Sequence, residues 1–125
     1  MLTLKLRAFD RLLLVGMLDR ATRQGESLSQ LSKLLKLHDK INFTDEERTL
    51  LNVRVEEGQI RWNRLKDGLP EGEEVDTERD VEISDEQKEL LVSVFKKNDE
   101  NKMFTSEGLK ETLKIAEQIG YQVQS

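Results

Sequence analysis

The sequence of 125 residues contains no cysteine, one histidine and one proline, and only 5% of its residues are aromatic. The absence of cysteine excludes disulfide bonds and thiolate metal sites, and it is compatible with a reducing compartment. No serine-hydrolase, phosphate-loop or zinc-protease motif accompanies the single histidine. We therefore expect no enzymatic activity, no metal site and no cofactor. His38 lies near a predicted helix end, and we interpret it as a capping or surface residue.

A long apolar run is also missing. The longest stretch, residues 12–18, has seven residues, whereas a helix that crosses a bilayer needs roughly 20. Charged residues flank this stretch on both sides, and no small-residue cleavage motif follows it, which argues against a secretory signal. The sequence therefore predicts no membrane span and no association with a membrane.

Charge is abundant but unevenly distributed. Charged residues make up 36% of the chain, and the net charge is −5. Residues 1–40 hold eight basic and four acidic side chains, whereas residues 41–125 hold twelve and twenty-one. A general nucleic-acid binder carries an excess of positive charge. This chain has a pI near 5.0, so nucleic-acid binding is disfavoured.

Helix-start patterns organise the chain. A Ser or Thr is followed three positions later by Gln or Glu at three places, which are Ser27 with Gln30, Thr44 with Glu47 and Ser84 with Gln87. Apolar residues at steps of three and four predict further helices from Thr3 to about Asp19 and from Thr105 to Gly120. We expect a polar turn over residues 96–102 and a frayed tail over residues 121–125.

Alternating apolar and polar residues predict a β-hairpin after the second of these starts. Val53, Val55, Ile60 and Trp62 alternate with polar residues around Glu56-Glu57-Gly58. A three-residue turn with glycine in the left-handed conformation is a common hairpin connection. We expect the apolar face of the hairpin to point inward, with Trp62 in the core, and residues 81–83 to add a third strand.

These patterns together predict an α+β fold that is mainly helical. We expect about five helices with a small antiparallel hairpin or three-stranded sheet over residues 53–55, 59–62 and 81–83. Residues 1–125 are predicted to form a single domain. Its parts are a helical segment (3–40), a helix and hairpin (44–63), a mobile acidic loop (65–80), and a strand with a helical pair (81–119).

The order of elements in the first half is that of a winged helix, with residues 45–51 as the recognition helix and the hairpin as the wing. That helix begins with Asp45, Glu46 and Glu47, which would repel phosphates. We therefore rank DNA binding below protein binding. The candidates for DNA contact are Arg48, Arg54, Arg61, Arg64 and Lys66. The candidates for contact with a partner protein are Arg54, Gln59 and Arg61.

A segment between the last two predicted helices partly matches a calcium-binding loop. Asp99 and Asn101 supply oxygens at suitable positions. However, Lys97, Lys102 and Gly108 stand where such a loop needs an acid, a glycine and a bidentate glutamate. We interpret this segment as a turn between helices that holds no metal.

Several short motifs are shared with a known group of proteins. They are L-T-L-x-x-R at residues 2–7, F-T/S-x-E-E at 43–47, G-x-Q/I-x-W at 58–62, E-I-S/G at 82–84, and K-x-F/L-T-x-E at 102–107. In these motifs the chain resembles a family of small proteins of uncharacterised function encoded by tailed phages and prophages. Since the shared residues are caps, turns and core positions, the resemblance implies a common fold and supplies no catalytic residue. It also implies a place in the bacterial host cytoplasm or in a virion.

The leading hypothesis is a phage-encoded, non-enzymatic interaction protein that binds a host or phage protein. One alternative is a DNA-binding regulator of the winged-helix type. The other is a virion or tail assembly component, for which self-association into a homo-oligomer is expected.

Overall fold

Five helices and two small antiparallel sheets are present in residues 1–123, which the computed structural model describes. The prediction of a mainly helical α+β fold is therefore confirmed. The chain divides into two compact units. Residues 1–42 and the described residues from 79 onward form the first unit, and residues 43–78 form the second. None of the helices in this part of the chain is both long enough and apolar enough to cross a membrane.

The elements are numbered in chain order. The first unit contains strands β1 (Leu2–Leu6) and β4 (Arg79–Ile83) and helices α1 (Ala8–Arg23), α2 (Leu28–Ile41), α4 (Asp85–Glu100) and α5 (Leu109–Ile119). The second unit contains helix α3 (Asp45–Leu51), strands β2 (Arg54–Glu56) and β3 (Gln59–Arg61), and a short 3₁₀ turn at Lys66–Gly68. The predicted winged-helix order of α1, α2, α3 and the hairpin is present, preceded by β1.

Strand β1 corrects two predictions. It pairs antiparallel with β4, with Leu4 opposite Val81. Thr3 therefore does not begin a helix, and residues 81–83 do not extend the hairpin. A run of five residues with apolar side chains at alternate positions fits a strand as well as the start of a helix. Pairing with a strand about 80 residues away decides between the two, and the apolar side chains of both strands then face the core.

The core of the first unit draws on every one of its elements. Its fully buried side chains include Leu4, Leu6, Leu14, Leu18, Leu37, Ile41, Ile83, Leu91, Phe95, Ile115 and Ile119. The guanidinium of Arg11 is also buried. Its Nε donates to the carbonyl oxygen of Ile41 and its Nη2 to that of Asn42, both at 2.8 Å. A cation is thus held at the carbonyl end of α2, where the helix dipole favours positive charge.

The ends of three helices differ from their predicted positions. Helix α1 continues past Asp19 to Arg23, and α4 continues to Glu100 through most of the predicted polar turn. Polar residues such as Asn98 are compatible with a helix interior when their side chains bond to the preceding turn, and Asn98 Nδ2 donates to the oxygen of Val94 at 2.8 Å. Helix α5 begins after Gly108, so Thr105 does not cap it.

The predicted helix starts are otherwise largely confirmed. At Thr44 and at Ser84 both bonds of the capping box are present. At Ser27 the described bond runs from the Gln30 N–H to the Ser27 hydroxyl, at 3.2 Å. Not every leucine of these helices is buried, because four are exposed, namely Leu28 and Leu35 of α2 and Leu109 and Leu113 of α5.

The predicted tail begins in an ordered contact. The ring of Tyr121 packs against Phe95 with 6.0 Å between ring centroids, and its hydroxyl donates to Asp99 Oδ2 at 2.6 Å. Residues 124 and 125, the end of that tail, lie outside the described residues.

Candidate functional site

The β2–β3 hairpin holds all three predicted protein-contact residues, and α3 leads into it. Helix α3 ends at Asn52, whose left-handed conformation (φ 50°) turns the chain toward β2. The hairpin returns to the same point, because the Asn63 N–H donates to the oxygen of Leu51 at 2.6 Å. Its two ends are therefore fixed to the end of α3.

The core of the second unit is small. Phe43, Leu51 and Val75 are buried, whereas Trp62, which was predicted to lie in the core, is only half-buried. The Trp62 indole N–H donates to Asp76 Oδ2 at 3.0 Å. A tryptophan with a polar partner for its N–H is commonly placed in this way, with one edge toward solvent.

A two-residue turn connects the strands. Glu56 pairs with Gln59, so only Glu57 and Gly58 lie between them, rather than the predicted three residues. Both have positive φ, 51° and 77°. This is the pattern of a type I′ turn, which matches the twist of a hairpin but strains any residue other than Gly, Asn or Asp at its first position.

Four polar side chains share one side of the hairpin, and we call them the polar face: Arg54, Glu56, Gln59 and Arg61. The Glu56 carboxylate lies between two guanidinium groups, with Oε1 2.6 Å from Arg54 Nε and Oε2 3.9 Å from Arg61 Nε. Arg61 Nη2 also donates to Gln59 Oε1 at 3.1 Å. The hydrogen bond from Arg54, and then the positive charges of Arg54 and Arg61, lower the pKa of Glu56.

Arg54 also connects the polar face to both ends of the hairpin. Its Nη1 donates to the oxygen of Asn52 at 3.0 Å and to Asn63 Oδ1 at 3.2 Å. The structure thus brings Arg54, Gln59 and Arg61 together, as their spacing predicted. It also places the Glu56 carboxylate among them.

The opposite side of the hairpin carries Val55 and Ile60, which we call the apolar face. The two residues are directly opposed across the strands, and they are 71% and 50% exposed. The prediction that this face points inward is therefore wrong. Alternation shows which side chains share a face, but not which face is covered, and here Phe43, Leu51 and Val75 form the core instead.

The remaining DNA-contact candidates lie on other elements. Arg48 is exposed on α3, and Arg64 and Lys66 follow the hairpin. Arg54 and Arg61 lie on the same face of the hairpin, and both lie beside the Glu56 carboxylate. The arrangement offers little of the concentrated positive charge that a phosphate backbone requires.

The acidic segment after the hairpin is hydrogen-bonded to itself. The Lys66 N–H donates to the oxygen of Glu73, and the Val75 N–H to that of Arg64, both at 2.8 Å. A Cβ on Gly72 would lie 2.6 Å from the Lys66 oxygen, so only glycine fits there without a shift of the backbone. The segment is therefore a closed loop with a buried valine, and its predicted mobility remains a prediction.

His38 faces acids from two helices. Its Nε2 lies 3.1 Å from Asp19 Oδ1 on α1, and its Nδ1 lies 3.7 Å from Asp39 Oδ1 on α2. Its carbonyl oxygen accepts from the Asn42 N–H at 2.8 Å, at the end of α2. Across residues 1–123, no three His, Asp or Glu side chains converge in a way that would hold a metal ion.

Comparison of the chain with protein-family models, curated proteins and solved structures finds no match.

Proposed function

We propose that this chain is a non-enzymatic interaction protein that binds another protein through the β2–β3 hairpin. The observation that carries the proposal is the exposed pair Val55 and Ile60, displayed on a hairpin that the opposite face stiffens. Both side chains are β-branched, with few rotamers to lose on binding. A rigid hairpin likewise has little conformational entropy to lose when a partner covers it.

The polar face supports this role indirectly. Arg54 bonds to Glu56 and Arg61 to Gln59, and these contacts favour the hairpin conformation in the absence of a partner. Burial of Val55 and Ile60, on the opposite side of the hairpin, then supplies the affinity.

The partner we propose is a host or phage protein. Support for a phage origin comes from the motifs shared with tailed-phage and prophage proteins, which span most of the chain. On this proposal the protein acts in the bacterial cytoplasm or as part of a virion.

DNA binding is the less well supported function. The N-terminal turn of α3 presents Asp45 and Glu46 to solvent, where a recognition helix would present donors to bases and phosphates. We accordingly expect no tight, sequence-dependent DNA binding at physiological salt in a mobility-shift assay.

Affinity capture from bacterial lysate with three versions of the full chain tests the proposal. The wild type is compared with V55S/I60S, which removes the apolar face, and with L28S/L35S, which removes two exposed leucines of the first unit. We expect proteins that the wild type and L28S/L35S capture and that V55S/I60S does not. Equal capture by all three versions would contradict the proposal. Self-association in light scattering that V55S/I60S abolishes would instead favour the assembly hypothesis.

A further inference from the structure

A groove of about 340 Å³ runs along one side of α1 in the first unit. We call it the α1 groove. Its walls combine apolar and polar side chains and come from two parts of the chain. Phe9, Leu12, Leu13 and Met17 line it from α1, and Met103 and Phe104 line it from the segment that follows α4. Met103 is 45% exposed, so its side chain is available to a molecule in the groove.

Gly16 keeps this groove open. It lies inside α1, where glycine costs about 1 kcal/mol relative to alanine. It also lines the groove, and no atom lies within 4 Å of the position that a Cβ would occupy. Packing against the rest of the fold therefore does not require glycine at this position. The backbone conformation does not require it either, because the φ of Gly16 is not positive. Its effect is to leave space on an apolar surface.

The groove has the length and charge polarity to receive a helix. From Phe9 to Arg20 it follows α1 for about 16 Å, or three helical turns, at a rise of about 1.5 Å per residue. A Cβ on Gly108 would lie 3.1 Å from Phe9 Cε1 and 3.2 Å from Leu13 Cδ1, so the neighbouring Glu107 lies beside the N-terminal half of α1, away from Arg20. Glu107 and Arg20 both line the groove, which therefore has an acid at one end and a base at the other.

We propose that the α1 groove is a second interaction surface that binds an amphipathic helix of a partner protein. The bound helix runs parallel to α1, with the positive end of its dipole at Glu107 and the negative end at Arg20. Its apolar face, with side chains at steps of three and four, contacts Phe9, Leu13 and Met103. Methionine side chains suit such a groove because they adapt to different apolar shapes. This function goes beyond the proposed role of the hairpin and does not depend on it.

The test uses a displayed peptide library as the probe. One half of the library carries apolar residues at positions i, i+3, i+4 and i+7 on a neutral background, and the other half carries the same composition in strict alternation. Selection against the full-length wild type is expected to enrich the helix-patterned half. A nitroxide on the N-terminus of a selected peptide should broaden the amide resonances near Glu107, and one on its C-terminus those near Arg20.

Two substitutions at Gly16 serve as a test variant and its matched control. G16W fills the groove with an indole, whereas G16A adds one methyl group and leaves most of the space. Binding of the selected peptide is expected to be unchanged in G16A and weakened about tenfold or more in G16W, as for loss of an interface hot spot. Circular dichroism confirms that both variants fold, and V55S/I60S should bind the peptide like the wild type.

Several outcomes would overturn the proposal. They are enrichment of the alternating half of the library, equal binding by G16W and wild type, or broadening that shows the reverse orientation. A wild-type dimer that G16W dissociates would identify a second copy of this chain as the occupant and would also overturn it.

Discussion

The side chain of Gln118 gives Lys5 both hydrogen bonds that a neighbouring strand would provide. The Lys5 N–H donates to Gln118 Oε1 at 2.7 Å, and Gln118 Nε2 donates to the Lys5 oxygen at 3.2 Å. Backbone groups of a paired strand point alternately toward the partner and away from it, so these groups of Lys5 face the outer edge of β1. One residue of α5 thus closes part of an edge at which another chain would otherwise add a strand.

Replacement of Gln118 by alanine should expose this edge. We expect a loss of about 1 kcal/mol in the free energy of unfolding, because two bonds at an exposed site are exchanged for bonds to water. The Lys5 amide should also exchange faster with solvent. Urea denaturation and hydrogen-exchange NMR measure the two effects, with Q122A as an exposed glutamine control. Unchanged Lys5 exchange in Q118A would show that Gln118 does not protect this edge.

Tyr121 should titrate at unusually high pH. The hydrogen bond to Asp99, then partial burial, then the charges of Asp99 and Glu100, raise its pKa to about 12. The chain has one tyrosine, so ultraviolet absorbance reports on it directly. We expect a midpoint near 12 for the wild type and a lower midpoint for D99N.

The same pKa shift has a defined effect on stability. The folded-state pKa of Tyr121 lies above its unfolded value. The contribution of the Tyr121 hydroxyl to the free energy of unfolding is therefore complete below pH 10 and is lost as the pH rises through about 12. Stability profiles of wild type and Y121F should therefore converge at the alkaline end. Stability profiles that stay parallel through this pH range would contradict the raised pKa of Tyr121.

The turn residue Glu57 is a site for stabilisation. Its φ of 51° suits asparagine, which commonly precedes glycine in type I′ turns. E57N should raise the free energy of unfolding by about 0.5 kcal/mol. E71N removes the same charge at an exposed position where φ is not positive, and it should have little effect in the same thermal denaturation measurement. Equal effects of the two variants would point to charge rather than backbone conformation.

Glu56 should titrate at lower pH than an ordinary glutamate. Its pKa is lowered chiefly by the hydrogen bond from Arg54, so R54M should raise it. The contribution of this pair to hairpin order is present above the unfolded-state pKa and is lost as the pH falls through the folded-state pKa. Carbon-detected NMR of the Glu56 side-chain carboxyl group measures this pKa in the wild type and in R54M. An unchanged Glu56 titration in R54M would show that the contact does not persist in solution.

Local patterns predicted the parts of the fold that depend on neighbouring residues. The capping boxes at Thr44 and Ser84 involve residues three positions apart, and both form. The pairing of Leu4 with Val81 joins distant parts of the chain, and a short alternating run does not specify its partner. The helix ends near Asp19 and Thr105 were misplaced because the terminal turns depend on bonds to specific neighbours.

The candidate site was predictable to a similar extent. Residue spacing placed Arg54, Gln59 and Arg61 on one face, but the position of Glu56 between the arginines follows from the two-residue turn, which was predicted as three. The exposure of Val55 and Ile60 depends on what the rest of the chain covers. The sequence analysis did not predict the α1 groove, although Gly16, a glycine inside an otherwise apolar helical stretch, is a signal that could have indicated it.

The most direct measurement is calorimetric titration of a captured partner with the wild type and with V55S/I60S, using R61K as a control on the polar face. Full burial of two β-branched side chains contributes about 1.5 kcal/mol or more each, which corresponds to a loss of affinity of about 100-fold in the double variant. We expect a loss of that size in V55S/I60S and nearly wild-type affinity in R61K. Equal affinity of the wild type and V55S/I60S would contradict the claim that the apolar face of the hairpin is the binding site.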